Sequence, residues 1–137
     1  MKKLFIICSK AFYDKIPPIK EALEKAGWEI KLPNEYENPN AENEWYLKGE
    51  NEHARMKGEM FRQSREKIKE IDAVLALNFD KNNQKNYIGG STFLELYEAF
   101  MERKSIYLYN DIPEGLLFDE IKGFSPKIIH GNLYLVK

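Results

Sequence analysis

Cysteine and histidine are scarce in this sequence. Cys8 is the only cysteine among 137 residues, so an internal disulfide is excluded and a reducing, cytoplasmic setting is expected. The two histidines, His53 and His130, lie far apart, and no cysteine or histidine stands near either at a spacing typical of zinc sites. The sequence therefore predicts neither a disulfide framework nor a metal site.

Long hydrophobic runs and a charge of one sign are also missing. No apolar run approaches the ~20 residues that a membrane-spanning helix requires. The apolar start LFIICS is short and charge resumes at Lys10, so it is predicted to be a strand and not a signal peptide. A net charge of -1 provides no basic field for a nucleic acid polymer or a membrane surface. We therefore expect neither a nucleic acid polymer nor a membrane as a partner.

What is present is typical of one soluble globular domain. Hydrophobic residues make up 43% of the chain and charged residues 31%, and 137 residues are enough for one core. We find neither repeats nor a linker, so residues 1–137 are predicted to form a single domain.

Apolar strand patterns alternate with amphipathic helix patterns along the chain. Predicted helices cover 16–26, 53–70, a stretch from Ser91 or Thr92 to about 104, and a short piece at 119–122. Buried strands that alternate with helices predict an α/β domain with a mainly parallel sheet flanked by helices. The predicted strands are 4–9, 28–32, 72–79, 105–109 and 133–136.

The segment 33–50 has no visible periodicity and is rich in Asn and Glu. A long irregular segment in a small domain is typical of either a disordered loop or a functional lid. Trp45 and Tyr46 favour a loop that packs on another surface.

In an open parallel sheet, ligands bind beyond the carboxyl ends of the strands. Three stretches are therefore expected around a site, namely 8–13, 78–92 and 109–114. Asn78 and Asp80 follow the central strand directly, which makes them better candidates for ligand contact than Asp72 at its far end. The loop from Gly89 to Thr92 enters a helix, where backbone N–H groups are available to an anion or a sugar hydroxyl.

Glu95 has two interpretations at this stage. Thr92 and Glu95 have the spacing of a capping box, with Thr92 as the N-cap, and spacing alone favours this structural role. The other interpretation makes Glu95 a reactive carboxylate.

Several stretches in order resemble the nucleoside 2-deoxyribosyltransferase-like family, and most closely its short prokaryotic branch. The most specific block runs from Asp72 to Pro113, and the resemblance is thinnest in the Asn- and Glu-rich segment. The stretches are CSKAFYDK, LEKAGWEIKLP, IKEIDAVLALNFDKNNQKNYIGGSTFLELYEAF, KSIYLYNDIPE and LFDEIKGFSPKIIHGNLYLVK.

This resemblance implies a flavodoxin/Rossmann-like fold and an enzyme that needs no cofactor. The glutamate after the glycine-containing loop, Glu95 here, attacks C1′ of a 2′-deoxynucleoside, and a second base or water completes the reaction. Asn78 or Asp80 would assist departure of the base. The expected substrate-binding residues are Ser9, Tyr13, Gly89, Gly90, Ser91 and Asn110. A non-catalytic nucleotide-binding module on the same fold is the alternative, and a general α/β domain that acts through partners is a third possibility.

Three places depart from the family pattern, and the first is Cys8-Ser9-Lys10, which follows the first strand where small residues are common. Tyr97 stands where a glycine is common, and Tyr87-Ile88 precedes Gly89-Gly90 where an acid is common. The missing acid is therefore expected to affect base recognition, and Tyr97 to change the packing behind the site.

Two further expectations concern binding partners. Arg55, Arg62 and Arg65, together with Ser91, suggest a preference for 5′-monophosphates. A homo-oligomer built from dimers is expected from the apolar circumference of the helix that contains Glu95 and from the apolar side of 53–70. In the family a neighbouring chain helps to complete the pocket, and the Trp45–Tyr46 loop or the Asn110 region is the expected contributor here.

Overall fold

The computed structural model describes all residues, 1–137, and contains one five-stranded sheet in which every neighbouring pair of strands is parallel. The order across the sheet is β2-β1-β3-β4-β5. The predicted α/β fold with a parallel, flavodoxin/Rossmann-like sheet is therefore confirmed. The strands are β1 (Lys3–Ile7), β2 (Glu29–Lys31), β3 (Ala73–Ala76), β4 (Ser105–Leu108) and β5 (Lys127–Ile128).

Helices cover both faces of this sheet. Because side chains alternate along a strand, Leu4 and Ile6 of β1 join one core cluster while Phe5 and Ile7 join the other. The helices are α1 (Ile16–Lys25), α2 (Ala41–Leu47), α3 (Glu50–Lys69), α4 (Gly90–Met101) and α5 (Phe118–Gly123), with 3-10 turns at Lys10–Lys15 and Leu133–Leu135. The first cluster includes α1 residues, and the second includes residues of α3, α4 and α5. No helix is both long enough and apolar enough to cross a membrane.

The predicted last strand at 133–136 is wrong. Residues Leu133–Leu135 form a 3-10 turn, and the edge strand is the two-residue β5, which the sequence pattern did not reveal. The tail is apolar because Leu133, Leu135 and Val136 pack on the core cluster that contains α1. Burial against a helix, and not strand pairing, explains its composition.

The segment 33–50 is ordered and contains α2, which was not predicted. Trp45 and Tyr46 both pack on His53 of α3, with ring centroids 6.1 and 3.7 Å from the imidazole. A helix this short depends on such tertiary contacts. The aromatic side chains therefore hold α2 on α3 of the same chain.

The strand order places a topological switch point between β1 and β3. The chain passes from β1 to β2 on one side and then returns through α3 to β3 on the other side of β1. The connections after β1 and β3 therefore separate, which leaves a crevice at their carboxyl ends where ligands bind in folds of this type.

Candidate functional site

A cavity of about 290 Å³ occupies the crevice between the carboxyl ends of β1 and β3. Four parts of the chain form its walls: the turn after β1, the segment between β2 and α3, one side of α3, and the loop that leads into α4. The lining is mainly polar, with Met60, Phe61 and Tyr13 among its few apolar or aromatic side chains.

Glu95 lies in the wall of this cavity, and a chain of hydrogen bonds fixes its carboxylate. Ser64 of α3 donates its hydroxyl to Glu95 Oε2 at 2.9 Å. Asn34 Nδ2 donates to Ser64 Oγ at 2.8 Å, and Lys67 Nζ donates to Asn34 Oδ1 at 2.7 Å. Lys67 also donates to the Leu32 carbonyl at 2.9 Å. We call this series of contacts, from Lys67 through Asn34 and Ser64 to Glu95, the Glu95 chain.

The direction of each bond in the Glu95 chain follows from the chemistry of Lys67. An ammonium group only donates, so the amide oxygen of Asn34 faces Lys67 and its nitrogen faces Ser64. Because Ser64 Oγ accepts from Asn34, its own proton is available to Glu95. Ser64 therefore holds one carboxylate oxygen of Glu95, Oε2, while the other oxygen, Oε1, has no hydrogen-bond partner in the protein.

The surroundings of Glu95 set its protonation. Burial raises the pKa of Glu95 to about 7, while the Ser64 hydrogen bond and the charges of Lys67 and Lys57 act in the opposite direction. A carboxyl group with this pKa is present in both forms near neutral pH. Such a perturbed group in a crevice is a candidate for chemistry.

The capping interpretation of Glu95 is wrong in this structure. The N-cap of α4 is Gly89, so Thr92 lies inside the first turn of the helix and is buried. The carboxylate of Glu95 instead bonds to α3 through Ser64.

Most of the predicted binding residues line the same cavity as Glu95. Ser9 accepts from the Ala11 N–H at 3.3 Å and from Lys81 Nζ at 3.4 Å. Tyr13 packs on Tyr36 with 5.5 Å between ring centroids, and burial, followed by nearby carboxylates, raises its pKa. The predicted residues that line the cavity are Ser9, Tyr13, Gly89, Gly90, Ser91 and Glu95.

The aromatic ring of Tyr87 forms one wall of the cavity. It also borders a second cleft, between the loop after β3 and residues 111–117. A Cβ atom at Gly89 would lie 3.1 Å from the Tyr87 hydroxyl, so glycine permits this close approach. Lys81 Nζ lies 4.7 Å from the centre of the same ring.

Three predicted residues do not line the cavity. Asn78 is fully buried and donates to the carbonyls of Asn110 and Asp111 at 3.0 and 2.9 Å, while its own Oδ1 accepts from Asn110 N at 2.8 Å. Asn110 in turn donates to the Asn78 carbonyl. Asp80 accepts from the Asn86 N–H at 3.0 Å. The contacts between Asn78 and residues 110–111 tie the loops after β3 and β4 together, whereas the Asp80 contact lies within the loop after β3. Residues 111–114 border the second cleft instead.

The three arginines also lie outside the cavity, so they do not support a phosphate site there. Arg55 and Arg65 form ion pairs of 2.7 Å with Glu52 and Glu98, and Arg62 lies 3.9 Å from Glu59. The basic side chains that line the cavity are Lys10, Lys57 and Lys81.

Two further acidic residues, Glu35 and Glu42, line the cavity and were not predicted. Glu42 forms an ion pair with Lys57. Asn34 and Lys67 of the Glu95 chain were also missed, although Ser64 gave a signal as a polar residue within the apolar side of the 53–70 helix. No group of three or more His, Cys, Asp and Glu side chains is placed to share a metal ion.

Comparison with known proteins adds no relative. A scan against protein-family models finds no match to the chain, and a search of curated proteins finds no similar sequence. The family resemblance therefore stays a prediction that depends on the residues themselves.

Replacing Ser64 with alanine should raise the pKa of Glu95 further. The variant removes a hydrogen bond that favours the carboxylate form of Glu95. Loss of one hydrogen bond to a charged group is expected to shift the pKa by about one unit. NMR titration of the Glu95 side-chain carboxyl carbon, assigned with a Glu95→Gln variant, measures the change. Ser91→Ala is the matched control because Ser91 lines the same cavity without bonding to Glu95. An unchanged pKa in Ser64→Ala would show that the Glu95 chain does not control this carboxylate.

Proposed function

We propose that this protein cleaves or exchanges the N-glycosidic bond of a 2′-deoxynucleoside or its 5′-monophosphate, with Glu95 as the nucleophile. The observation that carries the proposal is the Glu95 carboxylate, held through one oxygen by Ser64 in a cavity at the switch point of the sheet. The family resemblance supplies the reaction class.

The reaction requires a carboxylate with one oxygen free for attack. Glu95 Oε1 would attack C1′ while the bond to the base breaks, which gives a covalent glycosyl-enzyme. A second base or water then attacks C1′ and releases Glu95. Ser64 keeps the carboxylate oriented through both steps, which limits the reorganisation that the reaction demands.

The walls of the cavity suggest how a substrate lies beside Glu95. The N–H groups at the start of α4, near Gly90 and Ser91, suit sugar or phosphate oxygens. Met60 and Phe61 of α3 offer apolar surface to a base, and Phe61 remains partly exposed. The base would therefore lie toward α3 and the 5′ end toward the start of α4.

Lys81 supports a role for substrates with a 5′-phosphate. It has no carboxylate partner, and its ammonium lies 3.4 Å from Ser9 Oγ in the cavity wall. An unpaired cation beside a hydroxyl and a helix start gives a phosphate charge-assisted hydrogen bonds.

We also propose a homodimer formed through α4. Leu94, Tyr97 and Met101 follow the spacing of one helix face, and each is 44% exposed or more. A second copy is the occupant that fits best, since a two-fold axis places the same apolar face on itself. Leu94 directly precedes Glu95, so the partner would lie close to the cavity.

Glu95→Gln should abolish glycosidic cleavage and leave the fold intact. The amide still accepts from Ser64 but is not a nucleophile, so a loss of at least ~10³-fold is expected. The measurement is release of free base or formation of a new nucleoside from a panel of 2′-deoxynucleosides and their 5′-monophosphates, with and without acceptor bases. Glu98→Gln, one turn along α4 and outside the cavity, is the matched control.

Thermal unfolding gives a second readout for Glu95→Gln. The pKa of Glu95 is raised from 4.5 to about 7, so its ionisation destabilises the folded state progressively as pH rises between these values. At pH 8 the variant should therefore unfold at the same or a higher temperature than the wild type. Wild-type cleavage rates in Glu95→Gln would refute the nucleophile, and a wild type that binds the panel without cleaving it would favour the binding-module alternative.

Lys81→Met should weaken turnover of 5′-monophosphates selectively. Loss of one charge-assisted hydrogen bond is expected to raise KM for monophosphates by ~10-fold or more while KM for nucleosides stays unchanged. Lys85→Met, an exposed lysine on the same loop, is the control, and a triple replacement of Arg55, Arg62 and Arg65 should have no effect. Equal effects of Lys81→Met on both substrate classes would refute the phosphate contact.

Light scattering at micromolar concentration should give a mass of twice the 16.1 kDa chain. Tyr97→Glu combined with Met101→Glu should return the mass to that of one chain, because two charges would then be buried in the apolar contact. Leu116→Glu is the control, since Leu116 is 94% exposed and is not part of α4. A wild-type mass of 16.1 kDa would rule out the dimer.

A further inference from the structure

Departure of a nucleobase usually requires a proton, and the two residues predicted to supply it do not reach the cavity. Asn78 bonds to the loop after β4, and Asp80 bonds to the Asn86 N–H. The donor has to be sought among the groups that line the cavity with Glu95. This inference depends on the proposed function.

We propose that Glu35 is the general acid that protonates the departing base. Glu35 lies in the turn that follows β2, next to Asn34 of the Glu95 chain, and lines the cavity that contains Glu95. It is half-buried, and its Oε1 atom is buried without any hydrogen-bond partner.

The orphaned oxygen of Glu35 favours a neutral carboxyl group. A buried carboxylate oxygen that receives no donor loses its hydration without replacement, which is costly for the charged form. The protonated form avoids most of this cost. The contacts of Glu35 therefore favour its protonated form, which has a proton to give.

The charges around Glu35 act in both directions. Burial raises the pKa of Glu35 most, repulsion from Glu42 adds to it, and Lys57 and Lys10 oppose the shift. Both lysines have other partners, because Lys57 pairs with Glu42 and Lys10 donates to the Pro39 carbonyl at 3.1 Å. The pKa of Glu35 is raised overall, which agrees with the absence of a hydrogen-bond donor to its Oε1 atom.

The other acidic groups of the cavity are poorer proton donors. Glu42 is already engaged in an ion pair with Lys57. Burial raises the pKa of the Cys8 thiol to about 12 and also raises that of the Tyr13 hydroxyl. Neither the thiol nor the phenol releases a proton readily near neutral pH, which leaves Glu35 as the carboxyl group of the cavity that is neither the proposed nucleophile nor part of an ion pair.

The apolar wall of the cavity lies beside Glu35. Asn34 Nδ2 lies 3.3 Å from the Met60 carbonyl, which joins the Glu35 turn to the part of α3 that carries Met60 and Phe61. A base packed on these side chains would present a ring nitrogen or an exocyclic oxygen toward the carboxyl group.

The proton and electron pairs balance in both halves of the reaction. As Glu95 Oε1 bonds to C1′, the electron pair of the N-glycosidic bond passes to the base, and the Glu35 proton transfers to the base, which leaves neutral. Glu35 is then a carboxylate. When a second base or water attacks C1′, the ester to Glu95 breaks and Glu35 takes the proton that the attacking group loses.

Two substrates test this assignment, because one of them needs no proton. Glu35→Gln should slow cleavage of the best natural 2′-deoxynucleoside by ~10²-fold or more. It should leave cleavage of 4-nitrophenyl 2-deoxyriboside nearly unchanged, since nitrophenolate departs without protonation. Glu37→Gln, an exposed acid two residues away, is the matched control, and Glu35→Ala should repeat the pattern if the glutamine variant folds poorly.

Each outcome decides the assignment of Glu35. The assignment would be overturned if Glu35→Gln cleaved both substrates at the wild-type rate, or if it lost the same fraction of the wild-type rate on both. A proton donor affects only the leaving group that needs a proton. A wild type that cleaves neither substrate would remove the proposed function and the role of Glu35 with it. A wild type that cleaves both, with Glu95→Gln cleaving neither, would uphold the nucleophile whatever Glu35→Gln does.

Discussion

The hydrogen bond from Ser64 to Glu95 is the contact on which the candidate site depends. It joins α3 to α4 across the crevice, and it is supported from behind by Asn34 and Lys67. Without it, the carboxylate would be buried with no donor, which is costly for the charged form. The same contact leaves the second oxygen of Glu95 free. One side chain of a neighbouring helix therefore orients the carboxylate and opposes the effect of burial on its pKa.

The sheet order explains why these groups meet. The return of the chain from β2 to β3 through α3 carries Ser64 over the carboxyl end of β1, and the loop after β3 brings Glu95 to the same place. The segment between β2 and α3 adds Asn34 and Glu35 from the other direction. Of the three carboxyl groups that line the cavity, Glu42 is paired with Lys57, Glu95 receives one hydrogen bond from Ser64, and the Oε1 atom of Glu35 receives none. Environments of this kind separate the roles of paired acids in glycosidic chemistry.

The parallel fold could be predicted from sequence because it depends on local patterns, whereas local spacing favoured a capping role for Glu95 and only the family resemblance pointed to its place in the site. Apolar runs marked β1, β3 and β4, and the helical spacing marked α3 and α4. The two-residue β5 has too few residues to produce a pattern, and the apolar tail suggested a strand although it packs on the core as a 3-10 turn. The Glu95 chain was missed because its contacts join residues about thirty positions apart, as between Asn34 and Ser64. Asn78 was predicted to contact the ligand because it directly follows a strand. A polar residue at that place can bind a ligand or tie two loops together, and only its hydrogen-bond partners in the structure show that Asn78 does the second.

Tyr87 separates two clefts with a single ring. The ring closes the Glu95 cavity on one side and borders the wider cleft near residues 111–117 on the other. It keeps this place because position 89 has no side chain to displace it. A side chain added at position 89 would therefore disturb both clefts at once, because it would displace the one ring that borders each of them.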